Sequence, residues 1–322
     1  MALALPPSGH PRAYQLGKGE SMTLRWAFFL WFFASTAFSQ TPPPSIGSSD
    51  QSPAPQASAL EVQPGSPVLK QKDLWEGTGV FRPLLRMPKY ILQDQKAIWT
   101  SPFHTRKQDV KFWAIFGTAT VAFVATDQYS VKLLPNSKGQ VSVGNWASRA
   151  GSAYSLIPIS AAFYFIGTGT HEERLRETGL LAFESLIDST LVVEAVKLVA
   201  DRARPLESDG KGHFWDSTNG RLNSGFPSGH AINVWALASV IAHQYPHPRI
   251  VPILAYAFAS TVVVARVGAR QHFPGDVVAG SAMGWFIGDY VYGRRHNRDL
   301  DQKRTVAQKV LDHVHLGAEV NQ

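Results

Sequence analysis

The chain has 322 residues, 31 Lys and Arg against 24 Asp and Glu, a formal charge of +7 and no cysteine; 44% of it is hydrophobic and 17% charged. Without cysteine there is no disulfide framework, thiolate metal site or thiol nucleophile, and the chain is too apolar for a disordered protein. The positive excess fits a nucleic acid, a membrane surface or an anionic substrate, and the low charged fraction leans toward the membrane.

Residues 1–39 read as an N-terminal extension followed by an export signal. Arg25 is the positive start, Trp26 to Phe33 is an apolar stretch, and Ala37 and Ser39 stand before Gln40 in a small-x-small cleavage pattern. The signal predicts Met22 as the initiator. An uncleaved anchor is the alternative. Residues 40–68 are rich in Pro, Ser, Gln and Ala and form a linker. Residues 69–110 alternate basic and apolar residues and are broken by Pro83, Pro88 and Pro102. They predict short amphipathic helices, lying on a membrane surface or packed over the core.

Residues 111–292 carry the charge-free runs. These are Phe112–Thr126, Ala150–Thr170, Ala231–Pro248, Ile250–Ala265 and Val277–Gly288, with the apolar but charge-bearing Thr178–Ala200 among them. Their lengths suit helices, strand alternation is nearly absent, and small residues recur, as in helices that approach closely. The fold class expected is all-α, a bundle of about six apolar helices integrated in a membrane. Residues 293–322 form a basic polar tail, and a basic flank marks a cytoplasmic end. Six spans counted back from that end conflict with a cleaved signal. A segment that does not span, a retained anchor or a soluble bundle would each resolve the conflict.

Three motifs lie at the ends of these runs. Lys197 and Arg204-Pro205 close the third helical segment, where cations also serve as plain C-terminal caps. Ser228-Gly229-His230 open the next, where unpaired amides and glycine make an anion site and Ser is also an ordinary N-cap. Arg266 ends a helix, His272 lies in the connection, and Asp276 opens the last helix as a natural cap. Asp276 is also placed to accept the Nδ1–H of His272. In an up-down bundle these ends share one mouth. Fixed cations, an amide nest, two histidines and a carboxylate are the inventory for phosphoryl transfer.

The motifs resemble those of the type 2 phosphatidic acid phosphatase and vanadium haloperoxidase superfamily over roughly residues 110–292: Lys-x6-Arg-Pro, Pro-Ser-Gly-His and Ser-Arg-x5-His-x3-Asp. Here Ala265 replaces the serine before Arg266, which removes one hydroxyl. The resemblance implies catalysis by His272, His230 and Asp276. His272 attacks phosphorus, Asp276 holds its tautomer, and His230 protonates the leaving oxygen and then activates water. Lys197, Arg204, Ser228, Gly229 and Arg266 bind the phosphate. No metal and no cofactor are implied.

The activity expected is a metal-independent phosphatase hydrolysing a phosphate monoester or diphosphate on a lipid through a phosphohistidine. It would be exported, in the inner membrane with a periplasm-facing site. The alternatives are a soluble periplasmic acid phosphatase, a vanadate-dependent haloperoxidase, and a non-catalytic membrane protein that binds or transports a lipid phosphate. The last has no use for a nucleophile. Nucleic acid is excluded as a partner, because no basic stripe with interleaved aromatics appears. The loop from Glu207 to Phe226, with His213, Phe214, Trp215 and Arg221, is the candidate for substrate selectivity or else a plain connection.

Overall fold

The computed structural model describes residues 80–101, 107–134, 137–207, 209–218 and 220–301. The signal-like segment, the linker and residues 302–322 of the basic tail lie outside them. The described residues form eight α-helices and no strand, in agreement with an all-α fold. In chain order these are α1 (Arg82–Thr100), α2 (Lys107–Leu133), α3 (Lys138–Ser148), α4 (Ala153–Gly169), α5 (Glu173–Ala200), α6 (Gly229–Gln244), α7 (Ile250–Gly268) and α8 (Pro274–Arg295). The two helices beyond the expected six are α1 and α3. Helix α1 carries charges throughout, and the charge-free stretch of α3 after Lys138 is short and rich in polar residues, so neither stands out as a long apolar run.

Helix α1 is continuous across Pro88 and buries Pro83, Met87, Asp94 and Ile98 on one helical stripe. Met87 packs with Tyr164 and Leu180, and the Tyr164 hydroxyl donates to the Val80 carbonyl. The arm thus lies against the bundle. Its buried Asp94 receives both oxygens' bonds from Arg295, at 2.8 and 2.9 Å, and Arg295 also binds Glu184 at 3.0 Å. Arg295, counted from sequence among the tail cations, is therefore the last residue of α8 and is neutralised inside the bundle.

Helices α6 and α8 run parallel at the centre. Gly280, Gly284 and Gly288, one turn apart on α8, face Ser228, Ile232 and Ala236 on α6. A Cβ on Gly280 would stand 2.7 Å from the Ser228 carbonyl oxygen, and one on Gly284 would overlap that of Ile232. Only glycine permits this approach, and it sets both N-termini at one end of the bundle. Helix α5 ends there too. Asp201 adopts the left-handed conformation (φ 44°) that turns the chain out of the helix, a conformation Asp tolerates better than most residues.

Large apolar side chains remain exposed on the outer helices: Ile115 and Val121 on α2, Tyr154 and Ile166 on α4, Ile253 and Val264 on α7. Two segments, Lys138–Gly169 and Ile250–Gly268, are long and apolar enough to cross a membrane.

Candidate active site

The helix ends named from sequence converge at one mouth. Lys197, in the last turn of α5, brings its ammonium to 3.7 Å from where a Cβ on Gly229 would begin. It pairs with Glu194 at 2.8 Å. Ser228 caps α6, its hydroxyl accepting from the Ala231 amide at 3.4 Å. Its own amide donates to the Asp276 carbonyl at 3.1 Å, which ties the start of α6 to the start of α8.

Arg204 lies in the loop after α5 and is held by neutral groups. It donates to the Asn223 carbonyl at 3.0 Å, the Asn223 side-chain oxygen at 2.6 Å and Gln271 Oε1 at 2.8 Å. Burial lowers its pKa, against the influence of Glu207 and Asp276. Arg266, in the last turn of α7, is 9% exposed, reaches Ser148 at 3.4 Å and leaves its Nε without a hydrogen-bond partner. Two guanidiniums thus sit at the mouth with no carboxylate of the described residues in direct contact. Buried cations are normally paired, so this is a binding geometry for an anion.

His272 is 2% exposed, between α7 and α8. Its Nδ1 donates to the Gly225 carbonyl at 2.7 Å, whereas the nearest Asp276 oxygen is 3.9 Å away. The bond expected to Asp276 is therefore made to a backbone carbonyl. The carboxylate is already engaged. It accepts from the Phe273 amide at 2.7 Å and from Arg202. With Nδ1 protonated, Nε2 carries the lone pair, the form a nucleophile needs. Burial, then Arg266 and Arg204, hold the pKa of His272 well below the usual histidine value.

His230 stands half-buried in the first turn of α6. Burial, then Arg266, Lys197 and Arg204, lower its pKa to about 4. Asp276 is raised to about 7, chiefly by burial; Arg202 opposes the rise and Asp127 adds to it.

Sequence reasoning passed over Arg202, Asp127, Gly225, Gln271 and Ser148. Arg202 lies inside the first motif and was legible there as a third cation. Gln271 lies inside the third motif, beside His272, and gives no charge signal there; Gly225 acts through its carbonyl, and Asp127 and Ser148 act from distant helices. In the selectivity loop, Phe214 packs its ring on Phe226 at 5.7 Å, and Trp215 donates to the Val199 carbonyl at 2.8 Å. His213 and Arg221 remain more than half exposed, pairing with Asp209 and Asp201.

The family comparison agrees with these motifs. Residues 178–299 match the PAP2 superfamily. That stretch includes every motif residue named above. The lipid A 1-phosphatase of Rhizobium etli is 32% identical over 111 residues, 34% of this chain and 47% of that protein. That of Rhizobium johnstonii is 32% identical over 111 residues, 34% of this chain and 44% of that protein. The chain thus spans less than half the length of the curated relatives it matches. A transmembrane PAP2-type phosphatidylglycerolphosphate phosphatase from Bacillus subtilis, solved by crystallography, aligns with a TM-score of 0.41 at 21% identity, over 69% of this chain and 97% of that one.

Proposed function

We propose that the protein is a phosphatase that hydrolyses the phosphate monoester or diphosphate of a lipid through a phosphohistidine. The observation that carries this is His272 itself, a buried imidazole with Nδ1 tied to a carbonyl, among guanidiniums that lack carboxylate partners. A phosphate entering the mouth meets Lys197, Arg204 and Arg266 as cations and the Ser228–Gly229 segment at the start of α6. These neutralise the equatorial oxygens as charge builds.

In the first step His272 Nε2 forms a bond to phosphorus as the bond to the lipid oxygen breaks. That oxygen takes a proton from His230. In the second step His230, now neutral, takes a proton from water as the water oxygen attacks phosphorus. The P–N bond breaks, and phosphate and His272 are restored. The free site holds His230 neutral near neutral pH, so its acid form must come with the substrate, whose negative charge raises the pKa. Asp276 supports His272 through the Phe273 amide rather than by direct contact.

The lipid reading rests on the two helical segments long and apolar enough to cross a bilayer and on the relatives named lipid A 1-phosphatase. They make the 1-phosphate of lipid A the first substrate to try. The site faces the periplasm in this reading, from an inner-membrane protein.

The test is phosphate release by purified protein in detergent from lipid A, phosphatidic acid, phosphatidylglycerol phosphate and undecaprenyl diphosphate, with His272→Ala as control. Release from at least one lipid, lost in the variant, is the expected result. Activity confined to small soluble phosphoesters would favour the acid phosphatase alternative. Lipid-phosphate binding without release would favour the non-catalytic one.

A further inference from the structure

Arg202 is among the largest fully buried side chains, at 1% exposure, and it does not belong to the phosphate cradle. Its guanidinium lies between two carboxylates, 2.9 Å from Asp127 and in direct contact with Asp276. Its Nε donates to the Gly212 carbonyl at 2.9 Å. The rings of Phe214 and Phe273 lie 4.9 and 4.5 Å from it. Every polar and aromatic contact of this side chain is thus made inside the protein.

These contacts close a circuit around His272. The Arg202 carbonyl accepts from the Gly225 amide at 2.7 Å. The Gly225 carbonyl accepts from His272 Nδ1 at 2.7 Å. The next residue, Phe273, donates its amide to Asp276 at 2.7 Å, and the other Asp276 oxygen returns to Arg202. Asp127 extends the circuit to α2 and also accepts from the Gly275 amide at 2.8 Å. One residue therefore grips His272 from both sides, through its main chain on one and its side chain on the other.

We propose that Arg202 is a positioning residue for His272, fixing the ring's tautomer and aim through Gly225 and Asp276, with Asp127 as its second anchor. This rests on the phosphatase reading above. A nucleophile displaced by about 1 Å loses on the order of a hundredfold in rate, while the cradle goes on binding phosphate. A residue that merely stabilised the fold would lower the folded fraction and leave the tautomer of each folded molecule unchanged.

The experiment compares wild type, Arg202→Gln, Arg202→Lys and Asp127→Asn on the lipid that wild type hydrolyses best. Competitive inhibition by sulfate, which forms no bond to His272, reports on the cradle, and 15N NMR of labelled histidine reports the His272 tautomer. Arg202→Gln is expected to lower kcat by roughly a hundredfold, with KM and sulfate inhibition within about threefold and the Nδ1–H signature of His272 lost. Arg202→Lys should recover part of the rate and of the signature. Asp127→Asn leaves the pair with Asp276 in place and should show the same split in milder form, about tenfold in kcat. It also serves if Arg202→Gln does not fold. An unchanged kcat, a loss matched by lost sulfate affinity, or a loss that vanishes when the rate is counted per folded molecule overturns the proposal. If wild type hydrolyses no lipid phosphate, the lipid phosphatase reading fails. The tautomer comparison still tests the positioning: an unchanged signature in Arg202→Gln overturns it, and a lost one supports it.

Discussion

Lys197 and Gly229 belong to different helices and meet at the mouth, the ammonium 3.7 Å from where a Cβ on the glycine would begin. The gap accepts one methyl group and little more. Gly229→Ala should keep most activity. Gly229→Val should raise KM about tenfold or more by displacing the ammonium from the phosphate, the scale of a lost charge-assisted bond. Steady-state phosphate release, with the melting temperature as a folding control, checks this. Equal kinetics for the two variants would show that Lys197 does not reach the phosphate.

The two histidines should separate by severity. His272→Ala removes the nucleophile and should leave no measurable turnover. His230→Ala should lower kcat roughly 10²-fold or more, the scale of a lost general acid. A substrate whose leaving oxygen needs no proton, such as a nitrophenyl phosphate, should recover much of the His230 deficit and none of the His272 deficit. Equal recovery in both would contradict the separate roles.

Anion binding should draw a proton into the site. His230 has a pKa of about 4 when the cradle is empty, held down by burial and then by Arg266, Lys197 and Arg204. A tetrahedral dianion cancels that positive field and raises the pKa. Binding at pH 5 to 6 should then take up protons, and affinity should fall as pH rises through the new pKa. Calorimetry with sulfate, in buffers of different ionisation enthalpy, measures the uptake directly. His230→Gln should remove most of it, and proton release on binding would contradict the argument.

The glycines of α8 should differ by their distance from the site. Gly284→Ala and Gly288→Ala press on the carbonyls of Ile232 and Ala236 and should each cost about 1–3 kcal/mol of stability, the range for overpacking. Gly280→Ala presses on Ser228 and should also lower kcat per folded molecule. Thermal melts and active-fraction titration distinguish these effects.

His296, just beyond α8, gives a pH signature of its own. Burial lowers its pKa, but Glu177 at 2.7 Å and Asp301 at 2.9 Å outweigh that and hold it above the usual value. A raised histidine stabilises the fold fully below its unfolded pKa, and this contribution is lost as pH rises through the folded one. The melting temperature should therefore fall between roughly pH 6 and the raised pKa, and His296→Gln should flatten that slope.

The helix ends that build the mouth were legible in sequence because each combines an apolar run with a charged or histidine residue at its end, as at Lys197, His230 and Arg266. What escaped was whatever acts without a side-chain signature or across long range. Gly225 contributes a carbonyl, which every residue has. Asp127 sits just past the run that ends at Thr126, and its partner Arg202 is far along the chain. Arg202 stands two residues from Arg204 and looks like one more phosphate ligand until its burial is known. Asp276 reads from sequence as the cap of α8, but Phe273 holds that position and Asp276 is the third helical residue, its carboxylate accepting from the Phe273 amide; spacing alone could not show that Phe273 and Arg202 take its oxygens before His272 can.

The pair of Asp94 and Arg295 joins positions 201 residues apart. The ribosome therefore makes α1 long before its counter-charge exists. Until α8 is complete, Asp94, Glu184 and Asp188 have no guanidinium from Arg295 to offset them, and α1 has no ionic reason to dock. Chains truncated before Arg295 should therefore hold α1 only through Gln95 and the apolar stripe around Met87, and expose it more readily to protease.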